Sequence, residues 1–184
     1  LAVDGTVALT THGSGDATVV NDAALTFAAS SVAGALSATA TTGNIIDNAT
    51  VTVGGNFAVT ATADDATVNL GTLAVDGTVA LTTNGSSGNV TVVNDAGLAF
   101  AASTVDGTLS ATATTGNITD SGALTISGTS AFTTSADHGT ITLNTATNAF
   151  TGAVTLTTND ADGAVASATI DGGTTALVIA ASTV

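Results

Sequence analysis

The 184-residue sequence has no lysine, arginine, glutamate, proline, cysteine, methionine, tryptophan or tyrosine. Its 14 acidic residues are all aspartates, and the formal net charge is −14. Because no lysine or arginine is present to neutralise phosphate groups, nucleic-acid binding and attachment to an anionic membrane surface are excluded. The absence of cysteine excludes disulfides, and no apolar run approaches the ~18 residues of a membrane-spanning helix. The composition therefore predicts a chain that neither binds nucleic acid nor inserts into a membrane.

The composition also provides few side chains that could act in catalysis. The chain offers no thiol nucleophile, no Schiff-base amine and no cationic clamp for a developing anion. The two histidines are His12 and His138. An inverting glycosidase needs paired carboxylates, but the candidate pairs Asp64/Asp65 and Asp160/Asp162 fall in predicted turns. We therefore predict that the protein is not an enzyme.

A long internal repeat organises the sequence. The segment LAVDGTVALTT occupies residues 1–11 and recurs at 73–83, and ATATTGNI at 38–45 recurs at 111–118. Self-similarity on this scale is typical of small units that stack and bury their apolar faces against one another. The chain is divided into repeat 1 (1–72), repeat 2 (73–145) and a partial repeat 3 (146–184), within one β-solenoid segment, 1–184. We expect this segment to be a fragment of a longer repetitive chain.

Within each copy the apolar residues alternate with a period of two, and the runs are rich in Val, Thr, Ile, Leu and Phe, as in β-strands. Gly, Asn and Asp interrupt the runs every few residues, as turns require. Together these patterns predict an all-β fold: a right-handed parallel β-helix (β-solenoid) of about eight coils of 22–26 residues, with three strands per coil and three coils per repeat. The units begin near Leu1, Ala23, Ala49, Leu73, Ala96, Gly122, Ala146 and Gly172.

Alternate residues of each strand are predicted to point into a shared interior. The first strands supply Leu1/Val3, Leu25/Phe27, Val51/Val53, Leu73/Val75, Leu98/Phe100, Leu124/Ile126 and Leu177/Ile179. The second strands supply Val7/Leu9, Leu36/Ala38, Phe57/Val59, Val79/Leu81, Leu109/Ala111 and Val154/Leu156. The third strands supply Val90/Val92, Ile45, Val68/Leu70, Ile118 and Ile141/Leu143.

A threonine follows the inward pair of the second strand in every complete coil. In a register of three coils per repeat, these residues form one flat, uncharged stripe on the outside of the solenoid. The stripe is explained first by threonine forming strands well and stacking on itself, and the alternative is a surface that binds ice or polysaccharide. The stripe comprises Thr10, Thr39, Thr60, Thr82, Thr112, Thr133 and Thr157.

The aspartates fall at predicted turns, where their carboxylates cap backbone donors. If equivalent turns stack along the solenoid, like charges come close together, and salt or divalent cations relieve the repulsion. Oxygen ligands suit Ca²⁺, yet the sequence has no EF-hand loop and no glycine-rich calcium nonapeptide. The sequence predicts no cofactor, with Ca²⁺ as the alternative. Four N-x-S/T sequons offer sites for N-glycosylation, at Asn48, Asn84, Asn89 and Asn117.

Two segments carry a resemblance to a known family. GNITDSGALTISGTSAF at 116–132 and LNTATNAFTGAVTL at 143–156 resemble the repeats of filamentous-haemagglutinin-type proteins. That family consists of very long secreted bacterial β-helices that act as surface adhesins or extracellular fibres. The resemblance implies a location outside the cell or on the bacterial cell surface.

Taken together, these features predict a non-catalytic structural shaft that serves adhesion or builds an extracellular filament or matrix. The predicted partners are a second copy joined end to end or further coils of the same giant chain, because solenoid ends expose unpaired strand edges. A host cell, a glycan, or a mineral or ice surface is the predicted target of binding. The alternative function is surface binding by the threonine stripe.

Overall fold

The computed structural model describes residues 1–161, 163 and 165–184. In these residues the chain forms 21 β-strands and no helix, and every pairing between the strands is parallel. The prediction of an all-β parallel solenoid is confirmed. The right hand of the solenoid stays a prediction.

The strands form two sheets, which we call sheet A and sheet B. Sheet A contains β1 (Thr6–Val7), β3 (Leu25–Phe27), β4 (Ser30–Val32), β6 (Ile45–Asp47), β7 (Val51–Val53), β9 (Val68–Val75), β11 (Val90–Asn94), β14 (Leu109–Ala113), β17 (Ser130–Asp137) and β20 (Val154–Asn159). Sheet B contains β2 (Ala17–Asn21), β5 (Leu36–Ala40), β8 (Phe57–Asp64), β10 (Thr78–Asn84), β12 (Leu98–Phe100), β13 (Ser103–Val105), β15 (Ile118–Asp120), β16 (Leu124–Ile126), β18 (Thr140–Leu143), β19 (Ala149–Phe150) and β21 (Ser167–Ile170).

The register of sheet A defines the coils of the described chain. One column of outward residues runs along this sheet, and each of its residues pairs with the equivalent residue of the next coil. Seven such pairings follow one another, and each corresponds to one coil of the chain. This number is close to the approximately eight coils predicted, although several coils are shorter than the predicted 22–26 residues. Most coils have three strands, as predicted: two short strands in one sheet and a longer strand in the other. The column is Thr6, Thr26, Ile46, Asn69, Thr91, Ser110, Ala131 and Thr155.

The long sequence repeat spans about three and a half coils, not the three predicted. Three successive pairings within sheet A lead from Thr26 to Thr91, so these two residues are three coils apart. The counterpart of Thr26 one repeat later is Ala99, which lies half a coil further on, in sheet B. Because of the extra half coil, each structural element of repeat 1 recurs in the opposite sheet in repeat 2. Strand β3 of sheet A, for example, corresponds to β12 of sheet B.

One apolar core runs between the two sheets. All the predicted inward pairs from Leu25 to Leu156 are buried, which confirms those assignments. Phenylalanine rings from opposite sheets meet edge to face across this core, with centroids 6.1 to 6.3 Å apart. The predicted pairs in the two end coils are only partly covered, because one neighbouring coil packs on them: Leu1 is 67% and Ile179 is 47% exposed.

Buried asparagines close the corner between the sheets. The side-chain oxygen of Asn94 accepts from the Val75 N–H at 2.8 Å, and its amide donates to the carbonyls of Val75 at 3.0 Å and Gly97 at 2.6 Å. Asn21, its counterpart in repeat 1, makes the same three bonds at the equivalent corner. Both side chains are fully buried, so each one ties two successive coils together without leaving a polar atom unsatisfied.

Candidate functional surfaces

The structure divides the predicted threonine stripe between the two sheets. Thr39, Thr60 and Thr82 are consecutive neighbours in sheet B. In contrast, Thr112, Thr133 and Thr157 are consecutive neighbours in sheet A. Thr10 belongs to neither series and pairs with Ser31. The prediction of a single stripe was wrong because each repeat is half a coil longer than the three coils assumed. The extra half coil moves the threonines of repeat 2 to the other sheet.

Two threonines that the prediction missed lengthen the series in sheet B. Thr82 pairs with Thr104, and Thr104 pairs with Thr125. The resulting threonine ladder has five members in adjacent strands: Thr39, Thr60, Thr82, Thr104 and Thr125. In the described residues, none of these hydroxyls has a hydrogen-bond partner within the protein, so the ladder presents methyl and hydroxyl groups to the outside. The AAST segment at 101–104 was the signal in the sequence, because its threonine continues the column.

In the described strands, charged residues occur only as the last residue of a strand, at Asp47, Asp64, Asp120 and Asp137. Beside the threonine ladder, a shallow groove is lined largely by small residues, including Ser37, Ala58, Ala80 and Ala101. The aspartates instead lie in turns and at strand ends. The surface thus has two uncharged faces and acidic edges.

Several aspartates bind backbone groups of the neighbouring coil. The Asp47 carboxylate accepts from the N–H groups of Gly71 at 2.9 Å and Thr72 at 2.8 Å, and from the Thr72 hydroxyl. Its counterpart Asp120 accepts from the N–H of Asn144 at 3.0 Å. These carboxylates hold adjacent coils together, which confirms the predicted capping role. The prediction that stacked turns bring like charges close together holds for Asp137 and Asp160 of successive coils, whereas the repeat-equivalent Asp47 and Asp120 lie in different sheets.

The predicted carboxylate pairs do not form a glycosidase-like constellation in the described residues. Asp64 ends β8, and Asp65 follows in a left-handed turn with its Oδ1 accepting from the Ser87 N–H at 2.8 Å. Asp160 accepts from the Gly163 N–H at 2.7 Å, and Asp162 lies outside the described residues. Each of these bonds joins a carboxylate to a turn and none places two carboxylates across a groove.

The two histidines lie in different surroundings. His12 is exposed in the first coil. His138 lies in the turn after β17, where its Nε2 is 3.8 Å from Asp137 Oδ1. Asp160, from the following coil, completes a group whose ligand atoms all lie within 4.8 Å of one another. Among the described residues this is the one cluster of three metal-ligating side chains, and the sequence analysis did not assemble it because Asp137 and Asp160 are separated by a full coil.

The sequon asparagines lie in turns and at strand ends. Asn48, Asn89 and Asn117 are exposed, whereas Asn84 is half-buried and donates to the Thr62 carbonyl at 2.8 Å. Their glycosylation stays a prediction. No helix long and apolar enough to cross a membrane occurs in the described residues.

Comparison with protein families gives one match, in two segments. Residues 14–65 and 87–157 match the family described as repeats of unknown function (DUF5649). The two segments begin at Ser14 and Ser87, which are equivalent positions of repeats 1 and 2. No curated protein and no solved structure matches the chain. Since the two segments cover more than half of the sequence, the chain belongs to the DUF5649 repeat family.

Proposed function

We propose that this chain is a non-catalytic structural shaft of a secreted or cell-surface bacterial repeat protein, serving adhesion or forming an extracellular filament or matrix. The observation that carries the proposal is the unbroken stack of seven coils, each paired with the next through registered strands in both sheets. A stack of this kind can be lengthened by adding repeats without redesigning any part of it.

The use of polar side chains supports a structural role. Asn94 and Asp47 direct their hydrogen-bonding groups to the backbone of a neighbouring coil. Ser103, another buried polar residue, accepts from the Leu81 N–H at 3.0 Å and donates to the Ala101 carbonyl at 2.9 Å. Each coil therefore fixes the next by side chains as well as by strand pairing, as a stiff rod requires.

The surface supports a location outside the cell. An exterior with no lysine or arginine, acidic edges and uncharged sheet faces keeps a long rod soluble and resists association with anionic polymers. The resemblance to filamentous-haemagglutinin-type repeats supports the same interpretation. In this proposal the partner at each coil edge is either a further repeat of the same chain or a second copy joined end to end.

Repeat insertion tests the shaft directly. Variants receive one or two extra copies of residues 33–105 after Val105, which preserves the native junction because Ala33 and Asp106 occupy equivalent positions. Small-angle X-ray scattering should show a constant cross-section and a length that grows by roughly 17 Å per copy, for about 4.8 Å per coil. A cross-section that grows with copy number would refute the rod.

Protease treatment of intact cells tests the location. Cells of the native host are digested from outside, and the chain is followed with an antibody raised against it. The proposal expects the chain to be lost from intact cells while a cytosolic marker stays whole. Protection of the chain until the cells are lysed would contradict the extracellular role and leave the rod itself standing.

The threonine ladder favours a second candidate, binding to an ordered surface such as ice or a crystalline polysaccharide. Its five hydroxyls recur at the strand spacing of about 4.8 Å on an uncharged face. Thr60→Tyr should abolish ice-growth hysteresis or polysaccharide retention, whereas Thr52→Tyr, on the outer face of sheet A, should leave it unchanged. Equal activity of both variants, or none in the native protein, would remove this candidate.

A further inference from the structure

The turn that follows β17 brings three metal-ligating side chains together from two successive coils. Asp137 is the last residue of β17, His138 begins the turn, and Asp160 follows β20 in the next coil. Their ligand atoms all lie within 4.8 Å of one another, and all three side chains are exposed to solvent. One imidazole nitrogen and two carboxylates can therefore meet a single ion without rearrangement of the backbone.

The matching turn of the preceding repeat provides an internal comparison. There Asp65 takes the place of His138, and both residues have left-handed backbone, with φ of 61° and 59°. Asp65 N–H donates to the Asn84 carbonyl at 2.8 Å, as His138 N–H donates to the Asn159 carbonyl at 3.0 Å. The turn therefore folds in the same way without an imidazole, so the presence of His138 is not required by the backbone.

A buried hydroxyl of β17, close to this turn, is a second observation. The Thr134 side chain is 1% exposed, and its Oγ1 has no hydrogen-bond partner among the described residues. It lies against Gly139, the residue after His138, within 2.6 Å of the position of an added Cβ. A buried hydroxyl without a protein partner normally binds ordered water, so we expect a water molecule beside Gly139.

We propose that Asp137, His138 and Asp160 bind a divalent transition-metal ion of the Zn²⁺ type, which ties one coil of the solenoid to the next. An imidazole with two carboxylates is a ligand set for zinc, whose three protein ligands leave a position for water. Calcium is disfavoured because it takes six to eight oxygen ligands. The ion stabilises the folded chain, because the ligands come from different coils and meet only when the coils are stacked.

Isothermal titration of the full chain with zinc chloride tests the site, and thermal unfolding with and without zinc measures its effect. His138→Asn removes the imidazole with a residue that tolerates left-handed backbone. Asp160→Asn removes a charge and keeps the side-chain oxygen that accepts from Gly163. His12→Asn is the matched control, because it removes the other histidine from an exposed turn far along the chain.

The native chain and His12→Asn should bind one zinc ion and unfold at a higher temperature in its presence. His138→Asn and Asp160→Asn should each lose about tenfold or more in affinity, with unchanged circular dichroism and no zinc-dependent rise in Tm. Calcium chloride should give neither a binding isotherm nor a rise in Tm. Zinc binding that survives both substitutions, binding that His12→Asn abolishes, or a preference for calcium would overturn the proposal.

Discussion

Phe27 and Phe100 occupy the same position of successive repeats, yet they lie in opposite sheets of the solenoid. Phe27 pairs with Val7 in sheet A, and Phe100 pairs with Val79 in sheet B. Repeat-equivalent charges are also about 17 Å apart along the axis, at about 4.8 Å per coil, which exceeds the Debye length of about 10 Å at 0.1 M salt. A repeat of three and a half coils thus places each copied residue in the opposite sheet of the solenoid.

Removal of a corner asparagine should weaken the stack. Asn94→Ala leaves the Val75 N–H and two carbonyls without partners in a buried corner. We expect the free energy of unfolding, measured in urea, to fall by about 2–4 kcal/mol. Asn69→Ala, on the exposed face of β9, is the control and should cost less than about 0.5 kcal/mol. Equal effects of the two substitutions would show that the corner bonds do not hold the coils.

The close approach of successive coils at Gly128 gives a second prediction. A Cβ on this residue would lie 2.5 Å from the Gly107 carbonyl oxygen and 2.7 Å from its carbon, both backbone atoms of the preceding coil. Gly128→Ala should therefore destabilise the fold by about 1–3 kcal/mol, because the coils must separate locally. At Gly71 an added Cβ meets nothing within 4 Å, so Gly71→Ala should be close to neutral. A neutral Gly128→Ala would mean that the turns are more loosely stacked than described.

The phenylalanine contacts predict an asymmetry within the core. Phe132 meets two rings edge to face, Phe100 at 6.2 Å and Phe150 at 6.1 Å, whereas Phe57 meets one, Phe27 at 6.3 Å. Phe132→Leu should cost about 0.5–1.5 kcal/mol more than Phe57→Leu in a urea unfolding experiment, the contribution of one ring pair. The reverse order would contradict the ring packing.

Salt should stabilise the protein. With a formal net charge of −14 and no lysine or arginine, added salt mainly screens repulsion between aspartates. Calorimetry from low to physiological ionic strength should show Tm rising by about 2–4 °C for each kcal/mol of repulsion removed. Sodium and tetramethylammonium chloride should act alike if screening is the cause. A fall in Tm with either salt would contradict this interpretation.

Strand positions and core residues were predictable from the sequence, because a period of two in apolar residues needs no knowledge of register. Leu36/Ala38 and Phe57/Val59 were assigned inward and paired as expected. The coil length was not predictable in the same way. The strand β4 has a polar inward residue, Ser30, whose hydroxyl accepts from Leu9 N–H and donates to the Ala28 carbonyl. A buried serine satisfied by backbone groups breaks the apolar pattern and conceals a strand.

The sequence analysis did not recognise β4 and its counterpart β13. With these two strands missing, each repeat was divided into three coils instead of three and a half. The error moved half of the predicted threonine stripe to the wrong sheet. It also hid the cluster at His138, because a ligand contributed by the next coil can be identified only when the coil length is known. Composition and period thus determine the fold class, whereas surface sites depend on register.

Spin labelling tests the half-turn between repeats most directly. The native chain has no cysteine, so pairs of introduced cysteines take up labels without background. Thr82→Cys with Thr104→Cys places two labels on neighbouring strands of sheet B, whereas Thr82→Cys with Thr112→Cys places them on opposite sheets. We predict strong dipolar broadening for the first pair and none for the second. Broadening of the Thr82/Thr112 pair instead would mean that each repeat makes three whole coils and would contradict the half-turn.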